Sequence, residues 1–277
     1  MKRHILLLLL AAFLFPSCRQ QTKEFTTHNL TGDRCYLQIF GHPIFDDIDT
    51  IGIGMMYDIA WPDEGLMSPQ ALRELQYLCF LDSTSSLQEA IANWFALGDD
   101  CFFDDEDARL EEVSCEYESM DGYSNFVVTS TCHLDGELAV FEINKESNHF
   151  HAAHGIYSLD NLTVDIQTGD VVHLADLVTD TNLLCEAIAH AIQDLEVNRD
   201  TRECLFDEFK DVDRMPLPSN FSIDSARNSI TVYYALYEIT CYACGIQEVV
   251  LPIFWLSKHV PLTPYAKQLF GRGSHLE

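Results

Sequence analysis

Two Asp-Gly pairs, Asp121-Gly122 and Asp135-Gly136, each sit between runs of β-like residues. Such a pair is the strongest short hairpin signal, because its residues accept the positive φ that a tight turn between twisted strands requires. Segments near 112–119, 124–133 and 137–143 therefore read as strands of an antiparallel meander. A fourth strand, Leu162-Thr163-Val164-Asp165-Ile166, is turned by Thr168-Gly169-Asp170. Further strands are expected at 35–40, 51–60, 221–223, 229–237 and 248–253.

Helices fall between these strands. Ser68-Pro69 ahead of Ala71, Leu72, Leu75 and Leu78 combines an N-cap, a proline at the first helical position and an apolar stripe. Ser86-x-x-Glu89 is a capping box opening a second helix, with Gly98 as its C′ residue. Asp180 caps a third, whose apolar face is Leu184, Ala187, Ile188, Ala191, Ile192 and Leu195. The predicted fold class is α+β: antiparallel hairpin sheets with a few packed helices, in two sequential subdomains.

The N-terminus gives a location. Met1-Lys2-Arg3-His4 is basic, the next eleven residues are apolar, and Pro16-Ser17-Cys18 follows. This is a secretory signal with an apolar region too short to span a bilayer. A cysteine directly behind it resembles the bacterial lipoprotein signal, which implies cleavage after residue 17 and acylation of Cys18. The expected location is outside the cytoplasm, lipid-anchored to a bacterial membrane on its periplasmic or outer-membrane face.

With 47% hydrophobic residues the chain can bury a core, yet 16 basic against 44 acidic side chains leave a net charge of −28. Removing residues 1–17 takes away Lys2 and Arg3 and no acid, so the mature charge is −30. That field excludes nucleic acid as a partner. Of ten cysteines, nine follow Cys18, an odd number that leaves at least one unpaired within a monomer. Cys79 and Cys185 lie on apolar helical faces and are expected to pack as small hydrophobes.

Three groups could carry chemistry. His149, His151 and His154 are dense enough to hold Zn²⁺ with an open position, with His149 and His151 on one face of a strand. Cys241-Tyr242-Ala243-Cys244 has C-x-x-C spacing, read as a local disulfide or a packed thiol pair. The acidic run from Asp99 to Asp107, with Glu111 and Glu112, is a candidate for Ca²⁺ or a solvated loop anchored by Phe102 and Phe103. Nucleophile-elbow, phosphate-loop, dinucleotide and His-Glu-x-x-His signatures are missing from the sequence. The expectation is no resident cofactor and no catalysis.

Two segments carry a family likeness. The first comprises Ala153-His154-Gly155-Ile156-Tyr157, then 162–170, then Leu174-Ala175-Asp176-Leu177; the second comprises 237–245 and Val249-Val250-Leu251-Pro252-Ile253. Together they resemble the RsiV-type domain of bacterial envelope proteins over residues 150–260. That domain is found in a lysozyme-sensing anti-sigma factor ectodomain, beside peptidoglycan deacetylases, and in lipoproteins of unknown role. His151-Ala152-Ala153-His154 stands where the family has Gly-Gly-Ala-His, and Cys241 and Cys244 replace a proline and an alanine. The resemblance implies a binding or sensing module for a cationic protein such as lysozyme, or for cell-wall glycan. His154, Gly155, Tyr157, Tyr237 and Tyr242 are its candidate binding residues. Alternatives are a metal-dependent envelope hydrolase built on His149, His151 and His154, and a structural accessory lipoprotein. The expected layout is a signal at 1–17, a tether at 18–33, an N-terminal α+β subdomain at 34–148, the RsiV-like domain at 149–262 and a tail at 263–277.

Overall fold

The computed structural model describes residues 24–43, 48–96, 108–115, 122–224, 226 and 228–271. Among the described residues there are nine strands: β1 (Thr27–Ile39), β2 (Thr50–Pro62), β3 (Arg109–Val113), β4 (Tyr123–Asp135), β5 (Leu138–Asn148), β6 (Ile156–Asp165), β7 (Asn220–Asp224), β8 (Ser229–Tyr234) and β9 (Gln247–Pro252). The α-helices are α1 (Pro69–Phe80), α2 (Leu87–Ala96), α3 (Leu174–Leu177), α4 (Thr181–Asp194), α5 (Arg199–Cys204), α6 (Ile253–His259) and α7 (Pro264–Gly271).

Strand β5 organises the molecule, because successive side chains leave a strand on opposite faces. Ala139, Phe141 and Ile143 enter a core closed by α1 and α2, with Tyr57, Leu75, Phe80, Trp94 and Leu162. Leu138 and Val140 enter a second core, formed with α4, β7–β9, α6 and α7. The α+β class holds: a six-stranded sheet in the order β3-β1-β2-β4-β5-β6 and a three-stranded antiparallel sheet β7-β8-β9.

Local signals formed as the residues dictate. Ser68 Oγ accepts from Ala71 N at 3.3 Å. Ser86 and Glu89 make the reciprocal capping box, and Asp180 accepts from Asn182 N and Leu183 N. Asp135-Gly136 turns β4 into β5, with Gly136 at φ 61°. Cys79 and Cys185 are buried and unpaired.

Several expectations need correction. Asp121-Gly122 does not join a hairpin. β3 pairs antiparallel with β1 at the far edge of the sheet, and β4 runs parallel to β2. The connection from β2 through α1 and α2 supplies the long crossover that a parallel pair needs, and the Cys35–Cys115 disulfide holds the end of β3 beside β1. Strand β1 begins at Thr27, inside the segment expected as tether. β6 lies beyond the boundary placed at 149 yet completes the first sheet, and the expected tail contains α7, whose Ala266 and Phe270 are buried. The strand expected to reach Tyr237 stops at Tyr234. Cys18, Gly98 and the acidic run from Asp99 to Asp107 lie outside the described residues.

Asparagine side chains finish the strand edges. Asn220 donates to Leu159 O at 2.6 Å and accepts from Asn161 N at 2.9 Å, joining the second sheet to β6. Buried Asn198 does the same for β9: it accepts from Val250 N at 2.8 Å and donates to Val250 O at 3.1 Å. Each amide side chain mimics a neighbouring strand's peptide group, satisfying a donor and an acceptor that would otherwise be orphaned.

Candidate functional site

β6 begins at Ile156, directly after the turn that follows β5, and the turn after β8 comes to lie beside it. These two turns bring His154, Gly155, Tyr157, Tyr237 and Tyr242 together. Tyr242 Oη donates to Gly155 O at 2.8 Å, bridging the segments. The His154 ring stacks on Tyr242 with centroids 3.8 Å apart, Tyr237 lies 5.8 Å from Tyr242 and tilted, and Tyr157 meets Tyr242 edge-on at 6.1 Å.

One hydrogen-bond chain fixes the imidazole. His154 Nδ1 lies 3.0 Å from Gly155 O, and a carbonyl only accepts, so Nδ1 carries the proton. Nε2, on the other side of the ring, is hydrogen-bonded to Tyr237 Oη at 3.2 Å. Tyr237 has φ 66°, a left-handed conformation unusual for a bulky side chain. Strain of this kind concentrates where the surroundings over-determine a residue's position. Gly245 is also left-handed at φ 74°, and a Cβ there would meet Tyr157 Oη at 3.1 Å.

The cluster is a surface platform. Tyr237 is 55% exposed, Tyr157 40% and Ile156 56%. Glu146, opposite Tyr157 in the β5–β6 register, and Glu238, beside Tyr237, are exposed too. Segments 154–157 and 235–246 contain no lysine or arginine. The result is a set of aromatic faces with a carboxylate rim.

The metal reading is corrected by the same geometry. His149 packs edge-on against Phe126 and His151 against Phe150, while His154 Nε2 is taken up by Tyr237. His149 and His151 sit in the turn after β5, not on a strand, so the period-2 argument that would align them fails. Among the described residues no three His, Cys, Asp or Glu side chains converge as a metal set. The positive φ of the turn falls on His151, which spares Ala152 and Ala153. The C-x-x-C is corrected as well: Cys244 is bonded to Cys204, at the end of α5, and Cys241 is an exposed free thiol.

A roomier cleft, about 570 Å³, lies elsewhere, between the 165–176 segment and the start of α7. It is lined by Asp165, Thr168, Asp170, Asp176 and Tyr265 among others. Two of its three aspartates are engaged in the fold. Asp165 accepts from Gln167 N, Thr168 N and Tyr265 Oη, and Asp176 accepts from His173 N. Burial, and next the Asp165 charge, raise the Tyr265 phenol well above its ordinary pKa.

Ile156, Glu146, Glu238 and Cys204 were not among the candidate site residues. The two glutamates and Ile156 become neighbours of the platform through strand register and turn geometry. Cys204 carries no local signal, because its partner is 40 residues away.

Residues 175–253 match a family model described as a protein of unknown function (DUF3298). Two solved structures share the fold. A DUF3298 family member from Bacteroides fragilis is 17% identical with TM-score 0.55, over 90% of this chain and 97% of that one. A DUF3298 family protein from Pseudomonas aeruginosa is 13% identical with TM-score 0.53, over 88% and 98%. No curated protein matches the chain. The chain is thus an α+β protein of the fold these two structures share, with residues 175–253 similar to a domain of unknown function.

Proposed function

We propose that this is an exported, lipid-anchored envelope protein that works as a non-catalytic binding module, and that its ligand is a cationic protein of lysozyme type. The observation that carries this reading is the platform: Tyr237, Tyr242 and His154 tied by hydrogen bonds, Tyr157 packed edge-on against Tyr242, the group open to solvent and rimmed by Glu146 and Glu238. Exposed tyrosine faces supply large, rigid contact area and receive lysine or arginine side chains by cation–π attraction. A chain charge of −28 accelerates the encounter, and that steering weakens with salt. The Cys18 signal supports the envelope location, and among the described residues no helix is long and apolar enough to cross a membrane.

Titration of the mature chain with a basic lysozyme, at low and at physiological ionic strength, tests the reading. The expected result is saturable one-to-one binding that persists at physiological salt. Binding no different from that of an unrelated acidic protein defeats it. Tight binding of a cell-wall oligosaccharide in place of lysozyme would transfer the platform to a glycan ligand.

A further inference from the structure

Three sulfurs meet beneath the platform. Cys241 opens a single 3₁₀ turn, Tyr242–Cys244, in which Cys244 N donates to Cys241 O at 3.0 Å. Side chains three residues apart eclipse in such a turn, and Cys241 Sγ accordingly lies 3.7 Å from Cys244 Sγ. Cys244 is already bonded to Cys204. The chain following α5 is held against this segment by the Leu205–Thr240 bridge and by Phe206 N donating to Ile239 O at 3.0 Å. Cys241 is the one exposed cysteine among the four free ones described. The others are differently placed: burial pushes the Cys79 thiol up to about 12 and the Cys132 thiol to about 11, and Cys185 is buried in the second core.

We infer that Cys241, Cys244 and Cys204 form an internal thiol–disulfide exchange site, in which one disulfide occupies two alternative positions. The Cys241 thiolate attacks Cys244 Sγ; the Cys241–Cys244 bond forms as the Cys204–Cys244 bond breaks. Cys204 leaves as a thiolate and takes up the proton that Cys241 released. The electron count is unchanged, so no outside oxidant or reductant is needed. Cys244 is the sulfur attacked because it lies 3.7 Å from Cys241 Sγ, and an exposed thiol is accessible for the exchange.

The two positions differ mechanically. In the bond described, the turn carrying Tyr242 is pinned to α5 across 40 residues of sequence. In the exchanged form the bond closes only the turn itself, and α5 is held there by hydrogen bonds, among them Thr201 Oγ1 to Glu248 O at 3.0 Å. This inference does not depend on what the platform binds.

The test is thiol mapping on the mature chain. The protein is equilibrated at mildly alkaline pH without oxygen, quenched in acid, labelled with N-ethylmaleimide, digested and sequenced by mass spectrometry. Label on Cys204 at more than about one part in a hundred of that on Cys241 is the expected result for a two-position bond. The Cys241→Ser variant, altered at an exposed position, should lose that Cys204 label by at least about tenfold, since the attacking group is gone. Cys204 label below the one-in-a-hundred level in the parent chain overturns the proposal. Label that persists in Cys241→Ser overturns it too, because it would then report incomplete oxidation. Melting curves of parent and variant confirm that both fold.

Discussion

The 165–176 cleft and the aromatic platform both spend polar atoms on the fold, Glu238 on Ala235 N among them, and differ in what they leave facing water. The cleft has volume, about 570 Å³, and three aspartates. Yet Asp165 and Asp176 each satisfy backbone donors, and Asp165 also takes the Tyr265 hydroxyl. The platform offers less enclosure, but its rings face water and one of them is held at positive φ. The cleft's space lies where the fold is stitched together, whereas the proposed binding face combines exposure with backbone strain.

Substitutions break this comparison in opposite directions. The largest stability effect is expected for Asp165→Ala. It leaves two backbone N–H groups and the Tyr265 hydroxyl without their acceptor, at a cost of about 2–3 kcal/mol in urea unfolding, with lysozyme affinity of the folded fraction unchanged. If affinity falls with stability, the cleft belongs to the binding surface. Tyr157→Ala and Tyr237→Ala reverse the pattern: each should weaken binding about tenfold while leaving the unfolding midpoint nearly in place. Tyr237→Gly sharpens the point, because glycine accepts the left-handed backbone. It should raise stability by up to about 1 kcal/mol and still lose binding. A stability loss there would mean that the ring serves the fold.

The smallest effect concerns pH. The Tyr265 phenol is raised in the folded state above its unfolded value near 10. A raised group contributes stability that is intact below the unfolded pKa and is lost as pH climbs past it. Unfolding curves from pH 8 to 11 should show stability declining above about pH 10, less steeply in Tyr265→Phe. Identical slopes in both proteins would remove Tyr265 as a source of the decline.

Sequence reasoning reached the elements governed by near neighbours. Ser68, Ser86 with Glu89, Asp180 and the Asp135-Gly136 turn are local hydrogen-bond arrangements, so four or fewer residues specify them. The five residues named through the RsiV-type resemblance lie together in the structure, although nothing local says that residues 154 and 237 meet. The parallel β2–β4 pairing, the Cys204–Cys244 bond and the Asn220 and Asn198 edge contacts were not. Each joins residues 40 or more positions apart, where pairing is settled by packing on β5's two faces. The histidines misled because three of them within six residues look like a ligand set. The turn at Phe150 and His151 instead gives each imidazole its own aromatic partner.

The most direct measurement compares calorimetric titration of basic lysozyme into the chain lacking residues 1–17 and into its Tyr157→Ala/Tyr237→Ala double variant, at physiological salt. The account predicts stoichiometric binding to the first and at least a tenfold weaker interaction with the second, about 1.4 kcal/mol, at equal melting temperature. Equal affinities for the two chains would contradict it.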